Sequence, residues 1–140
     1  MKFRYFRLPH THNDAQIPLI RVHLINRQTK QMFPDYTSLV DSGASLCIFH
    51  AAIGEKIGLN IQSGRKGILK GVTVGTGVQF IHEISLVCGS HSFNTEVGFS
   101  YDLDMPWGLL GQQGFFDKFR VCFDKSKSEF EITPKQASAA

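Results

Sequence analysis

Long apolar runs are missing from this sequence of 140 residues. No stretch approaches the ~20 consecutive apolar residues that cross a bilayer as a helix, so no membrane span is expected. Met1 to Phe6 carries charges, but no apolar core of the kind found in a secretory leader follows it. Runs of one charge are missing too: no Lys/Arg run exceeds two residues, and the net charge is only +3. Arg65-Lys66 reads as a solvated turn, and no nucleic-acid partner is expected. Cysteine is scarce. Cys47, Cys88 and Cys122 cannot all pair within the chain, and none stands in a C-x-x-C spacing, which excludes a disulfide framework and a zinc knuckle. Each sits in an apolar, strand-like context where cysteine acts as a small hydrophobe, and reduced thiols point to a cytoplasmic protein.

Several catalytic signatures are absent as well. No glycine-rich stretch ends in Gly-Lys-Ser/Thr, so there is no phosphate loop. Gly43-x-Ser45 lacks the second glycine of a nucleophile elbow, because position 47 is Cys. Cys47 and His50, three residues apart on an extended chain, point to opposite faces and make a poor thiol-protease pair. His10-Thr11-His12 would turn two imidazoles to one side, but no third ligand lies nearby, and a histidine-bearing loop accounts for them. No metal and no cofactor is expected, and there is no internal repeat.

What is present is the composition of an ordinary globular chain, 42% hydrophobic and 19% charged, long enough for one domain with a real core. Ile17 to Ile25 alternates as a strand, with Ile20, Val22 and Leu24 on one face. Asn26 to Gln31 is a polar turn, and Phe33 to Val40 returns as a second strand. Leu46 to Phe49 continues as an apolar strand, and Ala51 to Ile57 forms a short helix stopped by Gly58. Ile61 to Val87 reads as a long hairpin whose tip is the glycine-rich stretch Gly71 to Gly77. Ser92 to Val97, Leu109 to Gly111 and the alternating Phe119, Val121 and Phe123 are further strands, with a helical turn at Phe115 to Lys118. Asp124 to Lys127 turns the chain into a last strand, where Phe130 and Ile132 alternate with Glu129 and Glu131. The expectation is an all-β closed barrel or sandwich with one or two short helices. It is divided into an N-terminal extension over 1–16 with a candidate edge strand, a domain over 17–133, and a flexible tail over 134–140.

One residue does not fit its surroundings. Leu39 and Val40 end a buried strand, and the next residue is Asp41, a type depleted in strands and costly to bury unless hydrogen-bonded. Ser42, Gly43 and Ala44 follow as a tight turn of small residues; the glycine allows a close backbone approach, and the serine puts a hydroxyl beside the acid. By itself Asp41-Ser42-Gly43 is also an ordinary Asx-type turn closing a strand. A second block, Pro106-Trp107-Gly108-Leu109-Leu110-Gly111-Gln112-Gln113-Gly114-Phe115-Phe116-Asp117, follows later in the chain. Together the Asp-Ser-Gly-Ala turn and this apolar-apolar-Gly block, with a glycine-rich hairpin between them, resemble the aspartic proteases of the retropepsin-like type. The resemblance spans roughly residues 17–132.

The resemblance implies a peptide hydrolase in which two carboxylates share a proton: one activates water and the other protonates the oxyanion or the leaving amine. Only one Asp-Ser/Thr-Gly occurs here, and Asp14, Asp35, Asp102, Asp104, Asp117 and Asp124 all lack that context. The second acid must then come from another copy, a C2 homodimer with Asp41 of each subunit on the axis. By the same resemblance Ala44 and Ser45 touch the backbone of a peptide substrate. Gly71, Val74, Gly75 and Gly77 belong to a flap that folds over it, or else to a plain hairpin loop. Trp107 and Leu109 wall apolar subsites, though Trp107, the sole tryptophan, reads nearly as well as core filler. The terminal segments, Phe119–Phe123 or Glu129–Ile132, supply the pairing between subunits. Two departures stand out: Ser45 and Gln112 occupy positions where retroviral members carry an Asp and an Arg that pair near the interface. Losing both together is coherent, because losing one would strand a charge. A dimer of the same fold that binds peptides or scaffolds a complex without cutting them is the alternative from another functional class.

Overall fold

Alternation of apolar and polar residues builds most of this molecule. A computed structural model describes residues 1–11, 15–70 and 76–136. The elements in chain order are β1 (Lys2–Arg4), β2 (Phe6–Arg7), β3 (Gln16–Ile17), β4 (Leu19–Ile25), β5 (Met32–Val40), β6 (Ile48–His50), α1 (Ala51–Lys56), β7 (Arg65–Leu69), β8 (Gly77–Cys88), β9 (His91–Ser100), β10 (Gly108–Leu110), β11 (Phe119–Asp124) and β12 (Glu129–Pro134). The fold is of the all-β class expected from the sequence, with one short α-helix among the described residues.

Seven strands form the main sheet in the order β4-β5-β10-β6-β9-β8-β7, and pairing of β4 with β8 closes it into a barrel. The closure depends on the length of β8. One edge of that strand runs along β9, while its other edge is shared, with β7 against Gly77–Ile81 and β4 against Ser85–Val87. Ile20, Val22 and Leu24 of β4 and Ile84 and Leu86 of β8 turn inward, as their spacing predicts, and meet Phe49, Val97, Phe99 and Leu110 in the core. A smaller cluster of Ile48, Leu69, Leu103 and Leu109, with Leu39, Met105 and Trp107 against it, lies beside that core.

The expected strand from Ile17 to Ile25 is broken at Pro18, which has no N–H to give a ladder. Its carbonyl instead accepts from Val40 N at 2.9 Å. The hairpin begins later than expected, because Ile61–Ser63 is a turn of 3₁₀ helix closed by Gly64 N donating to Ile61 O at 3.1 Å. The expected helical turn over Phe115–Lys118 is present, with Lys118 N and Phe119 N both donating to Phe115 O at 2.9 Å, but its entry is irregular. Gly114 adopts φ +97, and Phe116 N and Asp117 N reach back five residues to Gly111 O and Gln112 O. At the far end, Pro134 still pairs with Phe119, and Lys135 N donates to Lys118 O at 2.9 Å, so 134 and 135 follow the sheet; 137–140 lie outside the described residues.

The terminal strands make a separate three-stranded sheet in the order β1-β12-β11. Phe130 and Ile132 of β12 are buried on one face while Glu131 stays exposed. Phe3 stacks on Phe130 with ring centroids 5.4 Å apart, which fixes β1 against the hairpin. With β1 on one side and β11 on the other, β12 has both edges filled within its own chain. Glu129–Ile132 is therefore not an edge that another subunit can pair with, and among the terminal strands only the outer edges of β1 and β11 stay open.

Candidate active site

β5 carries the acid to its place. It runs parallel to β10, in the register Ser38 with Gly108, Leu39 with Leu109 and Val40 with Leu110. A parallel pair of buried strands delivers both chain ends to the same edge of the barrel, so the turn after β5 and the segment after β10 meet. Asp41 N donates to Leu110 O at 3.0 Å, Gln112 N to Ala44 O at 2.8 Å and Gln113 N to Ser45 O at 3.0 Å. Gln112 adds a side-chain bond, Nε2 donating to Ser42 O at 2.7 Å. The two blocks that stood out in the sequence are thus one structure, in which the second suspends the turn of the first. Gly111 must be glycine here: a Cβ would lie 2.6 Å from both Ala44 O and Leu46 O.

Behind the turn, Cys47 fills the junction. Gly111 N donates to its sulfur at 3.4 Å and the thiol donates to Gln113 O at 3.5 Å. Burial pushes this thiol up to about 12, partly opposed by the Gly111 N–H, so it stays protonated and unreactive. All three cysteines are free, Cys47 and Cys88 buried and Cys122 exposed.

Asp41 is half-buried. Its Oδ1 accepts from Gly43 N at 2.9 Å, and its carbonyl accepts from Ala44 N at 3.2 Å, so the turn orients its own carboxylate. A cavity of about 440 Å³ opens over it, lined by Asp41, Gly43, Ala44, Ser45, Leu46, Ile48, Ile68, Leu69, Lys70 and Gln79. One wall is the acid turn and β6. The other is the hairpin arm, the end of β7 and the start of β8. The far end of that arm is fixed from outside the cavity. Asp102 Oδ2 accepts from Val78 N at 2.9 Å, Ser100 Oγ donates to Val78 O at 2.6 Å, and Asp102 N donates to Ser100 Oγ at 3.0 Å.

The structure gathers Asp41, Gly43, Ala44 and Ser45 around this cavity; Ser42 is exposed on the same turn and is held through its carbonyl. Gly77 is the first residue of β8, paired with Leu69 in the last rung of the hairpin before its tip. Gly71, Val74 and Gly75 lie outside the described residues. The two residues expected to wall apolar subsites are placed elsewhere. Leu109 is fully buried, because β10 is sandwiched between β5 and β6. Trp107 opens on a different cavity, of about 470 Å³, with Arg4, Tyr5, Phe6, Leu19, Ile20, Arg21, Thr37 and Pro106. The apolar wall of the Asp41 cavity comes instead from Leu46, Ile48, Ile68 and Leu69, with Lys70 and Gln79 as polar neighbours. Sequence reasoning passed over these; the signals available were the position of Leu46 and Ile48 just after the acid turn and of Ile68, Leu69, Lys70 and Gln79 around the glycine-rich tip. His10 carries φ +64 in the N-terminal loop, and His12 lies outside the described residues. Among the described residues no group of three or more His, Cys, Asp or Glu is placed to hold a metal ion, and no helix is long and apolar enough to cross a membrane.

No family model matches this sequence, and no curated protein matches it. Among solved structures, EIAV protease complexed with the inhibitor HBY-793 is similar to this chain, with 19% sequence identity, 73% of this chain and 88% of that chain covered, and a TM-score of 0.48.

Proposed function

We propose that the chain is one half of an aspartic endopeptidase that works as a C2 homodimer, with Asp41 of each subunit forming the catalytic pair. The observation that carries this is the suspension of the Asp41 turn. A single acid, oriented by Gly43 N–H and held by backbone bonds from Leu110 to Gln113, faces an open cavity with a hairpin arm above it. A purely structural Asx turn has no need of such a mounting. In the reaction, one ionised Asp41 takes a proton from water as the water oxygen attacks the scissile carbonyl. The other Asp41, protonated, donates to the carbonyl oxygen. Collapse of the tetrahedral species passes a proton to the amine and breaks the C–N bond. A pair that shares one proton favours acid conditions. The Gly71–Gly77 tip serves as the flap that closes over the peptide, and the reduced thiols suit a cytoplasmic setting. Pairing between subunits falls to the outer edges of β11 or β1.

Asp41→Asn tests the assignment. It should abolish cleavage of a diverse peptide library while leaving circular dichroism and dimerisation nearly unchanged. Mixing tests the half-site: a ninefold excess of Asp41→Asn chains should cut the activity of the parent chains about tenfold, because randomly formed dimers then seldom hold two carboxylates. An Asn variant that cuts as fast as the parent removes Asp41 from the chemistry. A parent that cuts nothing between about pH 3 and 7 favours the non-cutting scaffold.

A further inference from the structure

We propose that the hairpin side of the Asp41 cavity is an acid-selecting subsite, in which Lys70 attracts a Glu or Asp side chain of an extended peptide while Ile68 and Ile48 hold its methylenes. The inference rests on the peptide-hydrolase reading and names the substrate class that reading leaves open. Among the described residues, Asp41 and Lys70 are the only charged ones on the cavity wall. Asp41 belongs to the turn and is bonded to Gly43 N. Lys70 is exposed at the end of β7 and makes no ion pair or hydrogen bond among the described residues. The other charges on the arm and beside it are paired or lie off the cavity wall. Arg65 pairs with Glu96 Oε2 at 3.1 Å, Lys66 is exposed further down β7, and Asp102 is held on Val78 N at 2.9 Å. Among the described residues one ammonium on this wall, that of Lys70, makes no ion pair.

The rest of the wall suits the stem of an acidic side chain. Ile68 is 63% exposed, the most solvent-bare large apolar residue described, and it stands beside Lys70 on the lining. A volume of about 440 Å³ accepts one or two side chains rather than a peptide, so it acts as a subsite and not as the whole cleft. In a C2 dimer it occurs twice, once on each side of the scissile bond. The favoured substrate is therefore an extended peptide with an apolar centre and an acidic residue on both flanks.

The test is a decapeptide with an apolar centre, in which Glu, Gln or Lys is walked through each position. It is read as kcat/KM with the parent and as fluorescence anisotropy with the Asp41→Asn dimer, which needs no chemistry. An exposed ion pair yields about two- to fivefold discrimination per pocket, hence about four- to twenty-five-fold for Glu over Gln at the two symmetric positions. Lys70→Met should flatten the Glu-to-Gln ratio to one, and Lys70→Glu should turn the preference towards Lys. The Glu preference should also vanish as pH falls through about 4.3, where the substrate carboxyl takes a proton, which a steric role would not reproduce. An unchanged ratio in Lys70→Met, or a ratio insensitive to pH, overturns the subsite. If the parent cuts nothing but the Asp41→Asn dimer still binds Glu peptides through Lys70, the subsite stands and the hydrolase reading falls.

Discussion

Replacing Gly111 with Ala should dislodge the acid turn, because the space for one methyl group is already occupied by backbone. The added Cβ would meet Ala44 O and Leu46 O at 2.6 Å and Leu46 C at 2.8 Å. None of these is the far end of a flexible side chain. To restore ordinary contact the turn must retreat by roughly 0.6 Å or more. Overpacking of this kind costs about 1–3 kcal/mol. The retreat also stretches three bonds that hold the turn, Asp41 N to Leu110 O, Gln112 N to Ala44 O and Gln113 N to Ser45 O. At about 0.5–1.5 kcal/mol each, partial loss brings the total to about 2–5 kcal/mol. For a domain of this size that is a fall in Tm of roughly 6–15 °C. Displacing the carboxylate by a good fraction of an ångström should lower kcat/KM about a hundredfold. Thermal and urea unfolding, together with peptide cleavage, read both effects. Gly67→Ala is the control, since its Cβ would meet nothing closer than Gln79 Cγ at 3.6 Å, and it should leave stability within about 1 kcal/mol. A Gly111→Ala protein that melts within about 2 °C of the parent and cuts at its rate would refute the idea that backbone contact with the second block positions Asp41.

Three further outcomes follow from the same geometry. Asp102→Ala, which removes the acceptor for Val78 N, should raise KM about three- to tenfold through a loosened hairpin arm at a stability cost below about 1 kcal/mol, while Asp102→Asn should restore KM because its amide oxygen accepts the same bond; equal KM in both variants disproves the latch. Burial raises Cys47 from 9.0 to about 12 and Cys88 to about 11, so the unfolded chain loses these protons first as pH climbs. Stability is therefore fully present below pH 9 and falls above it, by about 1.4 kcal/mol per pH unit for each thiol up to its folded value, and iodoacetamide should label only the exposed Cys122 in the native protein. Finally, with neutral Ser45 and Gln112 in place of a charge pair, activity should fall more steeply than enzyme concentration on dilution but change little with added salt; dilution-independent specific activity with a monomeric mass by light scattering would count against the dimer.

How much of this was legible in the sequence depended on the range of the forces involved. Asp41 was conspicuous because a carboxylate after Leu39-Val40 contradicts the strand it ends, and a local contradiction is visible locally. The barrel strands were readable where one face is wet, as in β4 and β8. β10 was not, since it lies between β5 and β6 and all three of its residues are buried; nothing in Gly108-Leu109-Leu110 says that Leu109 faces inward rather than into the cleft. Trp107 was ambiguous for a related reason: it abuts the small apolar cluster on one side and opens on a second cavity on the other. The irregular turn after Gly111 depends on the positive φ of Gly114, which Gly-Phe-Phe-Asp does not announce over a helical turn. The role of β12 as a middle strand depends on a partner at the opposite end of the chain, and no local pattern records such a partner.

That last pairing bears on how the molecule comes into being. Lys2, Phe3 and Arg4 find their ladder partners at Glu131, Phe130 and Glu129. During synthesis β1 must therefore wait for this partner until β12 has left the ribosome, and the three-stranded sheet cannot close before then. Contacts of such high sequence separation slow folding, and the waiting strand presents bare N–H and C=O groups with Phe3 beside them. A nascent chain of this protein is most prone to wrong association in that interval, while the edge of β1 that β12 will cover is still bare.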